Sequence, residues 1–175
     1  MLAFKLGAAV TALVFTAGMA VAQPAAKPND AQIAHIAYTA GNIDIAAAKQ
    51  ALQKSRNKEV RAFAQDMVRD HQAVNQKAMA LLKKLKVTPQ DNPTSQSLKK
   101  DADGKLAQYG KLNGAAYDKA YAQNEVGYHQ TVNGALQSTL IPSAENAELK
   151  SLLETGLKIF QGHQQHAEQL ASSLK

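Results

Sequence analysis

Cysteine and tryptophan are both absent from this sequence of 175 residues, and only 5% of the residues are aromatic. Without cysteine, the chain has no disulfide scaffold, no thiolate metal site, no iron–sulfur cluster and no cysteine nucleophile. No glycine-rich phosphate-binding loop and no Gly-x-Ser-x-Gly motif occurs, so two common classes of catalytic site are excluded. What is present is 45% hydrophobic residues, which suffices for the core of about one domain.

The first 22 residues predict a secretory signal peptide. Lys5 supplies a positive charge, residues 6–19 form an apolar run, and Ala-Val-Ala at 20–22 is a small-residue cleavage site. The apolar run is shorter than the roughly 20 residues that a membrane span needs. We therefore expect cleavage after Ala22, a periplasmic or secreted protein without a transmembrane span, and a polar leader over residues 23–29.

The apolar spacing of the remaining chain predicts helices and no strands. Four long helices are expected over residues 31–54, 58–86, 115–139 and from 144 or 147 to 174, with Asn57 as a cap and Pro142 as a break. A short helix is expected within 95–106, inside the connection over residues 87–113. The predicted fold is an all-α four-helix bundle over residues 30–174, in which two antiparallel hairpins are joined by a long crossover.

Successive residues of an α-helix are rotated by about 100° around its axis. On this basis, polar side chains fall within or beside the apolar stripe of every long helix. They are Asp44, His71, Glu125 with His129, and His163. An internal similarity supports the inward direction of His129, because residues 64–76 align with residues 122–134 at seven of 13 positions and match His71 with His129. Burying such groups without partners costs several kcal/mol, so their presence calls for an explanation.

Metal binding is one explanation, because imidazoles and carboxylates bind zinc, copper and iron, and bundle cores often hold such sites. Asp44, His71 and His129 fall at one level of the bundle. If the chain turns at Pro142, His163 lies about two helical turns, roughly 12 Å, from that level. We predict a transition-metal site built on His71 and His129 and assisted by Glu125, Asp44 and His163. The alternative is a metal-free polar network, in which Asp44 accepts a hydrogen bond from His71.

Catalytic residues are not predicted. A di-iron oxidase would need Glu-x-x-His motifs, and none occurs in the sequence. His35 and His166 are interpreted as surface residues. Seven lysines lie in or beside the crossover, and they form either a solvated face or a weak contact with an anionic envelope surface: Lys83, Lys84, Lys86, Lys99, Lys100, Lys105 and Lys111. Because few aromatic residues lie among these lysines, we do not expect them to bind nucleic acid.

Four stretches of the sequence are similar to those of a known family. The most specific is the Phe-Ala-x-x-Met-Val-x-Asp-His block within residues 59–71. The others are residues 40–44, residues 117–121 followed by His129, and His163 with Ala167 and Leu170. The chain resembles a family of exported bacterial proteins of unknown function, domain of unknown function 4142. The resemblance implies a ferritin-like helical bundle and no settled biochemistry. Asp44 departs from the family, which commonly has Glu at this position, and a proline expected near Lys158 is missing.

The function expected from the sequence is that of an exported helical-bundle protein that binds a transition-metal ion for sequestration or for protection of the envelope against stress. The alternative is a metal-free structural or interaction protein of the cell envelope, with a buried polar network that fixes the register of the helices.

Overall fold

A computed structural model describes residues 27–174 of the chain. Six helices and one π-helical turn make up this part: α1 (Asp30–Lys54), α2 (Lys58–Leu85), α3 (Pro93–Tyr109), α4 (Gly114–Ala135), the π-helical turn (Leu136–Leu140), α5 (Ile141–Ser143) and α6 (Ala147–Ser173). Residues 27–174 contain no β-strand, so the all-helical prediction is confirmed. None of these helices is both long and apolar enough to cross a membrane. The predicted signal peptide lies outside the described residues.

Asparagine side chains cap the N-terminal ends of three of the long helices. The Asn29 side chain accepts a hydrogen bond from the backbone N–H of Gln32, whose own side chain accepts from the Asn29 N–H and so completes a capping box. Asn57 and Asn146 likewise accept from backbone N–H groups in the first turns of α2 and α6. Because such caps satisfy otherwise unpaired N–H groups, these helices begin within one residue of a predicted start.

The helix in the crossover is longer than the sequence predicted, because it begins two residues earlier and ends three residues later. Asn92 caps α3 by accepting from the backbone N–H of Ser95, and Pro93 occupies the first turn, where no N–H donor is needed. The helix then runs for 17 residues and packs against α1. Gln50 and Lys54 of α1 donate hydrogen bonds to backbone carbonyls at the end of α3.

The prediction that Pro142 breaks the chain was wrong. After α4 the helical path continues through the π-helical turn into α5, and extended backbone is reached only at Ala144. Proline has no backbone N–H, and Pro142 lies directly after the π-helical turn, so the helical path passes this position without a donor. The chain therefore turns between Ser143 and Ala147.

Four helices surround a shared core. α1 packs against α2, α2 against α6, α6 against α4, and α4 against α1. The two hydrophobic clusters of this core lie at different levels. One contains Phe63, Met67, Tyr117, Tyr121 and Leu170, and the other contains Ile33, Leu136, Leu149, Leu153 and Phe160. On each of the four helices, the predicted polar residues fall in the interval between these clusters.

Candidate metal centre

The structure brings all five predicted site residues together. Asp44 comes from α1, His71 from α2, Glu125 and His129 from α4, and His163 from α6. Their relative exposures run from 0% for Glu125 to 7% for His163, so water hardly reaches them. The three imidazole rings lie 5.3–5.8 Å apart between centroids.

Two groups of possible ligand atoms meet in this cluster. His71, His129 and His163 can each offer one nitrogen such that all three atoms lie within 4.8 Å of one another, and the same holds for one atom each of Asp44, Glu125 and His129. His129 belongs to both groups. The arrangement therefore joins imidazole nitrogens and carboxylate oxygens, which are ligands that zinc, copper and iron share.

The tautomer of His129 follows from its contacts. Its Nδ1 lies 3.0 Å from the backbone oxygen of Glu125, and since a carbonyl oxygen only accepts, Nδ1 donates the proton. Burial lowers the pKa of His129 to about 4, despite the opposing Asp44 carboxylate. At neutral pH the ring is neutral, and Nε2 carries a lone pair. This buried Nε2 lacks a hydrogen-bond partner within residues 27–174 and lies 3.3 Å from Asp44 Oδ2.

His163 is held in a similar way by a residue that the sequence analysis did not assign to the site. Its Nε2 donates to Asp70 Oδ2 at 3.0 Å, which leaves the lone pair on Nδ1. That Nδ1 is buried and has no hydrogen-bond partner in the part of the chain that the structure describes. Asp70 also accepts from Arg69 at the surface. A carboxylate that holds a histidine in this way commonly orients a metal ligand.

His71 is positioned by packing and by Asp44. Its ring stacks on Phe160 with a centroid distance of 4.5 Å and an interplanar angle of 5°. Nε2 lies 3.0 Å from Asp44 Oδ2, but no aligned hydrogen bond joins the two atoms. Both nitrogens of His71 are thus buried without hydrogen-bond partners among the described residues.

The two carboxyl groups differ in charge. Burial raises the pKa of Asp44, but contact with His71 and the nearby His129 and His163 outweigh this effect and hold the pKa below its ordinary 3.8. Burial and the neighbouring Asp44 carboxylate raise the pKa of Glu125 well above its ordinary 4.5. The metal-free cluster therefore contains one ionised carboxylate and one neutral carboxylic acid.

The expected offset of His163 was wrong, and the position of the turn explains the difference. His129 is followed by 14 residues up to Ser143, the last residue of α5, and His163 stands 16 residues after Ala147, the first of α6. Counted from this turn, the two histidines lie at nearly the same level. Their ring centroids are 5.5 Å apart.

Two further polar residues near this layer, which were not predicted from the sequence, are buried. Asn75 and Asn133 are 7% and 5% exposed. A signal for the two asparagines was available, because the internal similarity that aligns His71 with His129 also aligns Asn75 with Asn133. Asn75 donates to Asn42, and Asn133 donates to Gln164, so both link helices beside the cluster.

Other predicted polar residues lie elsewhere. His166 is exposed, whereas His35 is half-buried with its Nδ1 at 3.8 Å from Asp91, so its assignment as a surface residue holds only in part. In the lysine group, Lys84 pairs with Glu148 and Lys99 pairs with Asp103. The contact of these lysines with an anionic surface stays a prediction.

The fold and the site define an all-helical protein with three histidines and two carboxyl groups buried between its helices. The sequence pattern of the domain of unknown function DUF4142 matches residues 16–170, and the chain belongs to this family. The comparison with curated proteins found no match.

A solved structure with a similar fold is the crystal structure of a DUF305 fragment from Deinococcus radiodurans. It is 16% identical, has a TM-score of 0.74, and the similarity covers 86% of this chain and 100% of the other. At this identity the likeness supports the fold alone.

Proposed function

We propose that this protein binds a transition-metal ion inside a ferritin-like four-helix bundle. His71, His129 and His163 supply nitrogen ligands, Asp44 supplies an oxygen ligand, and Glu125 stands beside them as a further ligand. Three imidazoles with carboxylates suit zinc, copper or iron. When bound, the ion supplies the positive charge that the buried lone pairs otherwise lack.

The contact between His129 Nε2 and Asp44 Oδ2 carries this proposal. Because Nδ1 of His129 holds the proton, Nε2 and the carboxylate oxygen face each other as two lone pairs at 3.3 Å, with no hydrogen between them. In a site without water this is repulsive unless a cation lies between the two atoms. Two ligands of a tetrahedral ion with bonds of about 2.0–2.1 Å stand about 3.3 Å apart, which agrees with the spacing.

The biological role that we propose is sequestration of the ion, or protection of the cell envelope against stress, in an exported protein. The signal-peptide pattern in residues 1–22 supports export to the periplasm or beyond. The crossover lysines give the protein a weak affinity for an anionic envelope surface. The buried position of the cluster favours storage of an ion over rapid exchange with solvent.

Metal titration of the purified protein tests the proposal. After removal of metals with a chelator, the protein is mixed with zinc, copper or iron, and bound metal and thermal unfolding are measured. A free metal concentration 100-fold above Kd stabilises the folded state by about 2.7 kcal/mol, and we expect the Tm to rise by about 5–10 °C. No bound metal and no rise in Tm with any of the three would overturn the proposal.

Matched variants identify the ligands. His71→Ala and His129→Ala are expected to abolish the rise in Tm, whereas His35→Ala is expected to keep it, because His35 is a histidine outside the cluster. Equal responses of all three variants would contradict the assignment of the ligands.

A second candidate function is a metal-free protein of the cell envelope in which the same residues form a polar network. The contacts of His71 with Asp44 and of His163 with Asp70 favour it, since a proton can hold each pair together. It predicts that added metals change nothing and that His71→Leu is tolerated or stabilising.

A further inference from the structure

A large cavity extends from the histidines toward the end of the protein where α1 and α6 begin. Its volume is about 670 Å³, and much of its wall is the second hydrophobic cluster. The wall includes Ile36, Leu136, Leu140, Leu149, Leu153 and Phe160. Packed cores contain few voids larger than a water molecule. A cavity of this size, with apolar walls and few polar groups, has the properties of a site for a small organic ligand.

Polar residues such as Gln32, Asn92 and Thr139 occur elsewhere along the wall, and the end of the cavity at the cluster is formed by two histidines and an asparagine. His71 and His129 both line it and are 3% and 1% exposed, and Asn75 lies beside them. Among residues 27–174, His129 Nε2 and both nitrogens of His71 have no hydrogen-bond partner, and these atoms are buried. The cavity therefore ends at two imidazole rings of the cluster.

The charges along the cavity favour an anion. Within the described part of the chain, no aspartate or glutamate lines it, and Asp44 and Glu125 belong to the cluster without reaching the wall. Lys27 lies in the wall and is its one lysine or arginine among the described residues. An anionic group that enters from this side passes no carboxylate of the wall before it reaches the imidazoles, although the Asp44 carboxylate lies 3.0 Å and 3.3 Å from their Nε2 atoms.

The π-helical turn contributes to the cavity directly. It places Leu136 and Leu140 in the wall, and both side chains are buried, at 3% and 6% exposure. A π-helical turn is a rare departure from the α-helix that frequently occurs at functional sites. Here it stands two turns beyond His129 on the same helical path, where the wall of the cavity is formed.

We propose that the cavity binds a straight-chain aliphatic carboxylate, whose tail lies along the apolar wall and whose carboxylate joins the metal ion at His71 and His129. This inference rests on the metal binding proposed above. Branched aliphatic side chains dominate the wall, which suits an aliphatic tail. Carboxylate oxygen is an accepted ligand of zinc, and a four-coordinate zinc ion can expand its coordination to take a fifth ligand.

Dodecanoate serves as the probe, and its binding is measured by calorimetry and by the 13C resonance of its labelled carboxyl carbon. We expect the zinc-loaded protein to bind one dodecanoate at least tenfold more tightly than the metal-free protein, with a shift of the carboxyl resonance. Dodecanol, which has the same tail without the carboxylate, is expected to bind at least tenfold more weakly. Equal binding of the two probes, or no effect of zinc, would overturn the role of the carboxylate.

Substitutions in the wall test the place of the tail. Ala78→Phe on α2 and Ala135→Phe on α4 fill the cavity away from the cluster, since Ala78 lies seven residues, or about 10 Å, beyond His71. Each is expected to weaken dodecanoate binding at least tenfold and to leave zinc binding unchanged. Ala80→Phe is the matched control, because Ala80 is exposed on the same helix and does not line the cavity.

The outcomes separate this inference from the proposed function. Binding of metal without binding of dodecanoate would overturn the inference and leave the metal site standing. Failure of zinc, copper and iron alike to bind would overturn both. Unchanged dodecanoate affinity in both cavity-filling variants would show that the probe binds elsewhere, and would likewise overturn the inference.

Discussion

Replacing Glu125 with glutamine separates the stability of the fold from the binding of metal. Glu125 is 0% exposed, and burial together with Asp44 raises the pKa of its carboxyl group well above 4.5. In the unfolded chain the group ionises near pH 4.5, so above that pH folding is coupled to the uptake of a proton until the raised pKa of the folded state is reached. Glutamine has nearly the same shape, carries no charge and requires no proton.

The sign and size of the effect follow from proton linkage. Between the unfolded and the folded pKa of Glu125, the folded state holds one proton more than the unfolded state. The free energy of unfolding therefore falls as the pH rises above about 4.5, by about 1.4 kcal/mol per pH unit, until the folded pKa is reached. We expect Glu125→Gln to lack this contribution and to be more stable than the natural protein at pH 7 without metal.

Urea unfolding at pH 5, 6, 7 and 8 in the presence of a chelator measures this effect. The two proteins are compared at each pH, so that contributions from other groups cancel. Glu154→Gln is the control, because Glu154 is exposed on α6 and its replacement is expected to change little. The natural protein is expected to bind the metal ion more tightly than the Glu125→Gln variant, since glutamine cannot supply a carboxylate to the ion. Parallel pH profiles of the Glu125→Gln variant and the natural protein, or a less stable variant at pH 7, would refute the protonated state of Glu125.

Three further predictions concern positions around the cluster. Gly41→Ala is expected to destabilise the fold by about 1–3 kcal/mol, because its Cβ would clash with the side chain of Asn75, which is buried and held by its hydrogen bond to Asn42. Gly127→Ala, whose Cβ would meet nothing within 4 Å among the described residues, is expected to stabilise the fold by about 0.5–1 kcal/mol in the same unfolding assay. Asp70→Asn is expected to lower metal affinity roughly 10- to 100-fold at unchanged stoichiometry, and an unchanged Kd would contradict its positioning role. The pKa of His129 falls from 6.5 unfolded to about 4 folded, so metal-free stability is expected to decline as the pH falls from 6.5 toward 4, and His129→Gln to flatten that decline; an equally steep decline in the variant would count against it.

Much of the helical architecture could be predicted from local sequence features. Asn57 and the apolar spacing that follows it placed the start of α2 at Lys58, and the structure confirms that start. The inward direction of His71 and His129 followed from the same spacing, because residues three and four apart share a face of a helix. The internal similarity added the direction of His129, where the apolar stripe alone was ambiguous.

The level of His163 and the contact with Asp70 could not be predicted in the same way. The level depends on where the chain turns between α5 and α6, and the π-helical turn together with the tolerated Pro142 moved that point. Asp70 lies on the flank of α2, and its contact with His163 depends on how closely α2 and α6 approach each other. Both are relations between elements distant in the chain.

The sequence by itself determined the helices, their buried faces and the choice of five polar residues for those faces, because each is a property of neighbouring residues and the helical period. Only the tertiary structure decided that the five side chains meet, which nitrogen of His129 and His163 keeps its lone pair, and that a cavity of about 670 Å³ leads to them. These features depend on distances and directions between helices, and packing sets those distances only when the whole chain is folded.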